Sequence, residues 1–453
     1  MHGYLKVRPA LLLAVLLAAI PPFETPVFAQ SRLVDHVAAY LRSTDENRRT
    51  QILEQIESSQ GYLVAALQRA VLNVNVWSQP NSSDIRFVLP SDGHEATDVY
   101  VRLPERYSTR RRWPLIVALH GVGDSAANML RLTRALAGSQ AEDFIIAAPE
   151  ALQGAWFQGP ADAVSQPLQL LIELRKRFRV DSDRVYLIGY SKGAHESCLL
   201  ALMTADRWAA VIPLAGTMIL PHPAITYPDL LPNLRHLPVL LCWGQHDIHA
   251  SGGRASPTGG IAGANHKLAS FARIAEVPLT PVELSGLGHG GVKPPADKLR
   301  DLLNKPRTKH PAQVSHRFRF QAHARAYWLA STRFLGTPWT DTRLMVKVKT
   351  GEDHNKAIRE ALHERLGYLS GRIDGQTITI RTRHVAQAEL LLNADMLSLD
   401  KPVRVIFNGR RVFDGRLHPR GQVLLETVAA DYDFQRLFTA RLRIPYEGKA
   451  RED

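Results

Sequence analysis

Between Leu115 and Leu284, six short β-rich runs alternate with stretches of helical periodicity. The runs are Leu115–Leu119, Phe144–Ala148, Val185–Ile188, Ala210–Pro213, Val239–Trp243 and Thr280–Leu284. A strand with one wet face alternates apolar and polar residues. A continuously apolar strand needs cover on both faces, which a parallel sheet between two helix layers provides. Asn128–Ala137, Pro167–Phe178, Gly193–Met203 and Asn265–Ala275 supply the helical layers. Ile85–Leu89 and Val99–Leu103 read as an opening antiparallel pair. The pattern predicts an α/β fold with a doubly wound, mostly parallel sheet.

The flanks read differently. Lys6 and Arg8 precede the apolar run Ala10–Ile20, and Val27-Phe28-Ala29 offers a small-residue cleavage site. That order is expected of a signal peptide over 1–29, with an uncleaved anchor as the other reading. The run is shorter than the ~20 residues that span a bilayer. The expectation is a secreted or periplasmic protein with no stable membrane span. Residues 30–78 carry apolar residues at helical spacing, among them Leu33, Val37, Ile52, Ile56, Leu63 and Leu67. They predict helices packing on the domain that follows, expected over 79–305. From 306 to 453 a smaller, mostly β accessory domain is expected. Its strand-like runs include Val314–Phe320, Ala326–Ser331, Leu344–Lys349, Thr377–Arg381, Ala388–Leu392 and Val403–Phe407. Asn408-Gly409 after the last of these is a type I′ hairpin signal, because both turn residues must take positive φ. Asn355–Leu366 and Gln422–Phe438 read as helices.

Composition narrows the chemistry. With 453 residues, 45% hydrophobic and 22% charged, the chain can bury a large core and is neither disordered nor fibrous. Cys198 and Cys242 are its two cysteines, which excludes a disulfide framework and a Cys-based zinc site. The net charge is +13, and residues 306–453 hold 26 Lys and Arg against 16 Asp and Glu. A basic surface of this kind is either simply solvated or attracts an anionic polymer such as an acidic polysaccharide. No aromatic-and-basic motif accompanies it, so nucleic acid is not an expected partner.

Gly189-Tyr190-Ser191-Lys192-Gly193 follows one buried run directly and opens a helix. This G-x-S-x-G in a strand–turn–helix context lifts a serine into the open at the C-terminal edge of the sheet. A serine hydroxyl needs an imidazole to take its proton and a carboxylate to hold that imidazole. Asp247 follows the Val239–Trp243 run after Gly244. His289 stands among Gly286, Gly288 and Gly290 beyond the Val282–Leu284 segment. Ser191, Asp247 and His289 are therefore the candidate triad. His246 and His249 precede the last strand and read as site-lining or surface residues. His195 sits one helical turn past Ser191 and reads as packing under the turn. His120-Gly121-Val122-Gly123-Asp124 ends another strand, and the amides of Val122 and Lys192 are the candidate oxyanion donors, unless the segment is a simple glycine turn. Trp156 and Tyr190, which adjoin strand ends, are the candidate substrate-binding residues. No metal-ligand spacing of the H-E-x-x-H type occurs, so neither a metal nor another cofactor is implied.

With these motifs the chain resembles the α/β-hydrolase superfamily. Within it, the chain is similar to the phospholipase/carboxylesterase group and to secreted esterases of polyhydroxybutyrate-depolymerase and feruloyl-esterase type. The resemblance covers about Ile85 to Lys305. It implies a serine carboxylic-ester hydrolase with the triad Ser191, Asp247 and His289, acting on a small-molecule or polymeric ester. Ala194 stands where many members carry glycine, and Lys192 replaces the commoner Gln, Met or Ala. Two further readings remain. One is a peptidase of prolyl-oligopeptidase type, and the other a non-catalytic polymer-binding protein on a hydrolase scaffold.

Overall fold

The first described elements are three successive helices, the first of which packs against the other two. The computed structural model describes residues 27–59, 62–90, 96–150, 162–218, 229–249, 259–335, 350–351 and 353–452. Most of the expected signal segment, the strand expected at Leu344–Lys349, and most of the glycine-rich stretch between Ser251 and Gly263 lie outside them. Helices α1 (Val27–Arg42), α2 (Glu46–Glu57) and α3 (Val64–Asn73) follow one another. Asp45 caps α2 by accepting hydrogen bonds from the amides of Asn47 and Arg48.

Eight strands then build one sheet in the order β1-β2-β4-β3-β5-β6-β7-β8. They are β1 (Asp84–Leu89), β2 (Thr97–Arg102), β3 (Trp113–Leu119), β4 (Ile145–Pro149), β5 (Val180–Tyr190), β6 (Ala210–Leu214), β7 (Val239–Gly244) and β8 (Leu279–Leu284). β2 pairs antiparallel with β1 and β4, and every later pairing is parallel. The expected opening pair is thus present. Trp113–Leu119, Ile145–Pro149 and Val239–Gly244 are buried at every position, as strands covered on both faces must be. The cover comes from α5 (Asp162–Arg177), α6 (Lys192–Met203) and α7 (Gly260–Ile274) on one face. On the other lie α4 (Ala126–Ala137) and α8 (Ala296–Leu302).

Beyond α8 two five-stranded sheets pack face to face. One has the order β16-β15-β13-β12-β9 and the other β10-β11-β14-β17-β18. Their strands are β9 (Gln313–Phe318), β10 (Arg325–Ala326), β11 (Leu329–Phe334), β12 (Gly367–Asp374), β13 (Thr377–Arg383), β14 (Val385–Leu392), β15 (Val403–Phe407), β16 (Arg410–Gly415), β17 (Ala440–Pro445) and β18 (Arg451–Glu452). Leu369, Ile378, Ile380, Val405 and Phe407 from the first sheet meet Leu329, Leu390, Leu442 and Ile444 from the second in one apolar core. Asn408 and Gly409, at φ 48° and 82°, close the β15–β16 hairpin as the turn signal predicts. The run Ala326–Ser331 is broken instead of continuous, because Tyr327 takes φ 58° between β10 and β11. Helix α9 (His354–Arg365) precedes β12, and α10 (Gly421–Asp431) lies between β16 and β17.

Two expectations are corrected here. The Gln422–Phe438 helix stops at Asp431, because Tyr432 adopts a left-handed φ of 47°. The N-terminal helices do not pack simply on the next domain. Val37, Leu41, Ile56, Leu67 and Val71 form a core with Leu424, Leu425 and Val428 of α10. The eight-stranded unit is reached at Trp77, whose indole donates to the Arg175 carbonyl of α5 over 2.7 Å.

Past α10 the chain enters a buried ion network tying the sandwich to the eight-stranded sheet. Arg307 lies 2.7 Å from Asp433 and 3.3 Å from Asp183, Arg436 2.7 Å from Asp206, and Arg207 2.6 Å from Asp431. Asp183 is a residue of β5 held by ion pairs with Arg307 and Lys309. Burial pushes the Asp431 carboxyl up, but Arg207 and Arg325 outweigh it and hold it at about 2. Asp433 is likewise drawn far below the ordinary 3.8, with burial overcome by Arg307, Arg175 and Arg436. A carboxyl depressed in the folded state contributes stability above its unfolded pKa and loses it as the pH falls through the folded value. Asp433→Asn is expected to cost about 3–5 kcal/mol in denaturant unfolding at pH 7, because it strands buried arginines. Below the ordinary 3.8 the wild type progressively loses this advantage as the pH falls toward the depressed value of Asp433, so the gap between the two proteins narrows.

Candidate active site

Eight strands in the order 1-2-4-3-5-6-7-8, with β2 alone reversed and helices on both faces, are the strand order of the α/β-hydrolase fold. In such open sheets the reactive rim lies at the carboxyl ends of the parallel strands. Ser191 stands there, between β5 and α6, at φ 53° and ψ −115°. No L-residue adopts that backbone without strain, and such outliers persist only where the surroundings impose them. The surroundings here are glycines. A Cβ on Gly189 would overlap the Gly193 carbonyl, and one on Gly193 would overlap the Leu119 carbonyl. Ser191 N also donates to the Leu214 carbonyl over 2.9 Å, fixing the turn to β6.

The other two candidate residues meet the serine. His289 Nε2 is 2.8 Å from Ser191 Oγ, and His289 Nδ1 is 2.9 Å from Asp247 Oδ2. An ionised carboxylate only accepts, so Nδ1 carries the imidazole proton and Nε2 is left to accept from the serine hydroxyl. Asp247 is fully buried, whereas the His289 side chain keeps 28% exposure. Their loops are stitched together. Gln245 N donates to Leu284 O, His246 N to Leu287 O, and Gly244 has no room for a side chain beside Gly288 O. Tyr190, a candidate substrate-binding residue, donates its hydroxyl to the His289 carbonyl over 2.9 Å. It therefore braces the histidine loop from the serine side.

The glycine turn after β3 lies against the same serine. A Cβ on Gly121 would stand 3.1 Å from Ser191 Cβ, and Val122 beside it is 81% exposed at the rim. Lys192 opens α6, and its ammonium turns back along the helix to within 3.9 Å of Glu196. Burial pushes the Glu196 carboxyl well up against the pull of Lys192. The charge that Lys192 brings is thus engaged beside α6. Trp156 lies outside the described residues.

The remaining histidines sort by contact. His249 stacks 4.9 Å from His289, centroid to centroid, with Nδ1 3.5 Å from the second Asp247 oxygen, and so lines the site. Asp247, His249 and His289 put three possible metal-ligand atoms within 4.8 Å of one another, the one such group found among the described residues. His195 packs under the turn with Nδ1 3.0 Å from Thr217 O, and burial lowers its pKa. His266 pairs with Glu283 over 2.8 Å, and Trp243 is core. Cys198 and Cys242 are buried and unpaired with each other, and burial raises the Cys242 thiol to about 12. Sequence reasoning missed the His120–Glu150 pair, 3.4 Å apart, in which Glu150 also accepts from the Ala126 amide. It holds the glycine turn, and nothing in the spacing of 120 and 150 announces it.

No family model matches the chain. A curated protein of Nocardia uniformis subsp. tsuyamanensis, "Putative esterase NocK", is 32% identical over 143 residues. The match covers 30% of this chain, which spans 40% of that relative's length. Among solved structures, a thermostable esterase is similar over 50% of this chain and 64% of its own, at 17% identity and a TM-score of 0.39. Thermogutta terrifontis esterase 2, phosphoramylated by tabun, is similar over 50% of this chain and 92% of its own, at 15% identity and a TM-score of 0.38.

The crowding at the turn can be measured. Gly193→Ala is expected to lower stability by about 1–3 kcal/mol, the usual result of forcing a methyl group into packed backbone. Gly290→Ala, beside His289 but with nothing within 4 Å of the added carbon, should stay within about 0.5 kcal/mol of wild type. Denaturant midpoints of the two variants test the difference.

Proposed function

We propose that this chain is an exported serine hydrolase of carboxylic esters that works through an acyl-enzyme. The carrying observation is the hydrogen-bonded line from Ser191 through His289 to Asp247 at the carboxyl rim of the sheet. The esterase names of its relatives lend support. As the Ser191 oxygen attacks the ester carbonyl carbon, its proton passes to His289 Nε2. Asp247 holds the imidazole by Nδ1 and stabilises the imidazolium that forms. The carbonyl oxygen becomes an oxyanion facing the amides of Val122 and Lys192, with the α6 N-terminus adding a favourable field. Collapse expels the alcohol, which takes the proton from His289 and leaves an acyl ester on Ser191. Water then attacks that ester, its proton goes to His289, and the acid departs as the serine hydroxyl is restored.

The substrate is a small-molecule or polymeric ester. Tyr190 contributes by holding the histidine loop, and Trp156 remains a candidate for the pocket wall. The peptidase reading is weaker, since the large propeller usual in that family is not found among the described residues, which begin with three helices. Export is proposed from the residues ahead of α1. No helix among the described residues is long and apolar enough to cross a membrane.

Hydrolysis of p-nitrophenyl acetate tests the reading. Ser191→Ala should abolish turnover, and Asp247→Asn should lower kcat about 10^3–10^4-fold, because the imidazole is no longer held in the working tautomer. A proline-containing peptide anilide should be left intact. Ester hydrolysis unaffected by Ser191→Ala would refute the mechanism, and rapid anilide cleavage would favour the peptidase.

A further inference from the structure

The sheet β16-β15-β13-β12-β9 buries one face in the sandwich core and leaves the other outward. Along β12 the burial alternates residue by residue, with Tyr368, Ser370, Arg372 and Asp374 on the outward side. The pairing register carries that side across the sheet. Arg411 lies opposite Ile406, Ile406 opposite Thr379, and Thr379 opposite Arg372. In the next row Arg381 faces Ser370, which faces Ser315. In the row on the other side Arg404 stands between Asp414 and Thr377. The side chains of Arg372, Arg404 and Arg411 keep 69%, 53% and 64% exposure while pairing with acids of the same face, Arg404 and Arg411 each 3.3 Å from Asp414 and Arg372 3.9 Å from Asp374, and Arg381 is also exposed.

The two acids on this face, Asp374 and Asp414, belong to the same outer row. The rows inward of it carry arginines, hydroxyl residues and Ile406 with no carboxylate of their own, so the face sets four guanidinium groups against two carboxylates in exposed pairs that a polyanion can displace. Farther along, Arg317 and Arg383 are already committed, to the Asp229 carbonyl and to the His363 carbonyl of α9. Strands are ~4.8 Å apart, so Arg411 and Arg372, three strands apart, are separated by roughly 14 Å with Thr379 between them. Guanidinium groups bind carboxylates and sulfates in bidentate fashion, and the Ser and Thr hydroxyls between them suit the hydroxyls of a sugar.

We propose that this face binds a linear anionic polysaccharide, one bearing carboxylates or sulfates along its length, laid across the strands between Arg411 and Arg372. The face favours that ligand over the other polyanions. Tyr368 is the aromatic residue on it and sits under Arg317 at 5.8 Å, so unpaired bases find no stacking platform. Large exposed apolar residues are found elsewhere on the molecule, so a membrane surface gains no insertion here. The ligand site is independent of ester chemistry, and binding alone reads it.

The probes are polygalacturonate for carboxylates, heparin for sulfates, dextran as the uncharged control, and an oligothymidylate for nucleic acid. At least one of the first two should bind, with affinity falling as salt rises, and dextran should not. Arg372→Glu/Arg381→Glu should weaken that binding at least about tenfold, since it removes two charge-assisted contacts. Lys298→Glu/Arg300→Glu on α8 makes the same change in net charge elsewhere and should alter it no more than about twofold. If circular dichroism shows that the Glu pair fails to fold, Arg372→Gln/Arg381→Gln replaces it with the same expected direction. Equal losses from the two double variants, no binding of either polysaccharide, or tighter binding of oligothymidylate would overturn the proposal.

Discussion

Gly193 sets its α-carbon against the carbonyls of Leu119 and His120, and Gly189 against the carbonyl of Gly193, so backbone touches backbone where β5 turns into α6. The positive φ of Ser191 is the geometric outcome of that contact. Side chains at either glycine would push the helix away from β3 and relax the serine toward an ordinary conformation. The hydroxyl would then no longer stand above the rim, and the imidazole could not reach it. Strain at one residue is thus sustained by close packing at its neighbours.

The partners arrive by a different device. Asp247 and His289 lie on loops after successive parallel strands, and hydrogen bonds from Gln245 and His246 join the two loops into one unit. Asp247 has no exposure, so its charge is compensated locally by the His289 ring and by the His249 amide and ring. Tyr190 bridges from the serine's own strand to the carbonyl of His289. The hydrogen-bonded line therefore spans three strand ends that hold one another in register. Such preorganisation is what the proposed proton transfer needs.

Much of this was legible in the sequence, because the inner parallel strands are continuous apolar runs and Ser191 and Asp247 each follow one of them within a few positions, whereas β8, which His289 follows, is an edge strand with no fully buried position. Ser191, Asp247 and His289 come together as their order along the chain implied. The less legible features are those made by residues far apart in sequence. Nothing in the apolar stripe of α1 or α3 says that its partner is Leu424 and Val428, some 350 residues later. Asp433 and Arg436 read as the tail of a helix until Tyr432 ends it and buried partners claim them, Arg307 the aspartate and Asp206 the arginine. The His120–Glu150 brace is of the same kind: two polar residues whose meeting depends on where β3 and β4 lie in the sheet.

The central claim is that one hydroxyl in this chain is made nucleophilic by one imidazole. Incubation with a fluorophosphonate, followed by intact mass measurement and peptide mapping, tests it most directly. A single adduct is expected on the peptide holding Ser191, and it should disappear in His289→Ala. An unmodified wild-type protein, or an adduct on a different serine, would contradict it.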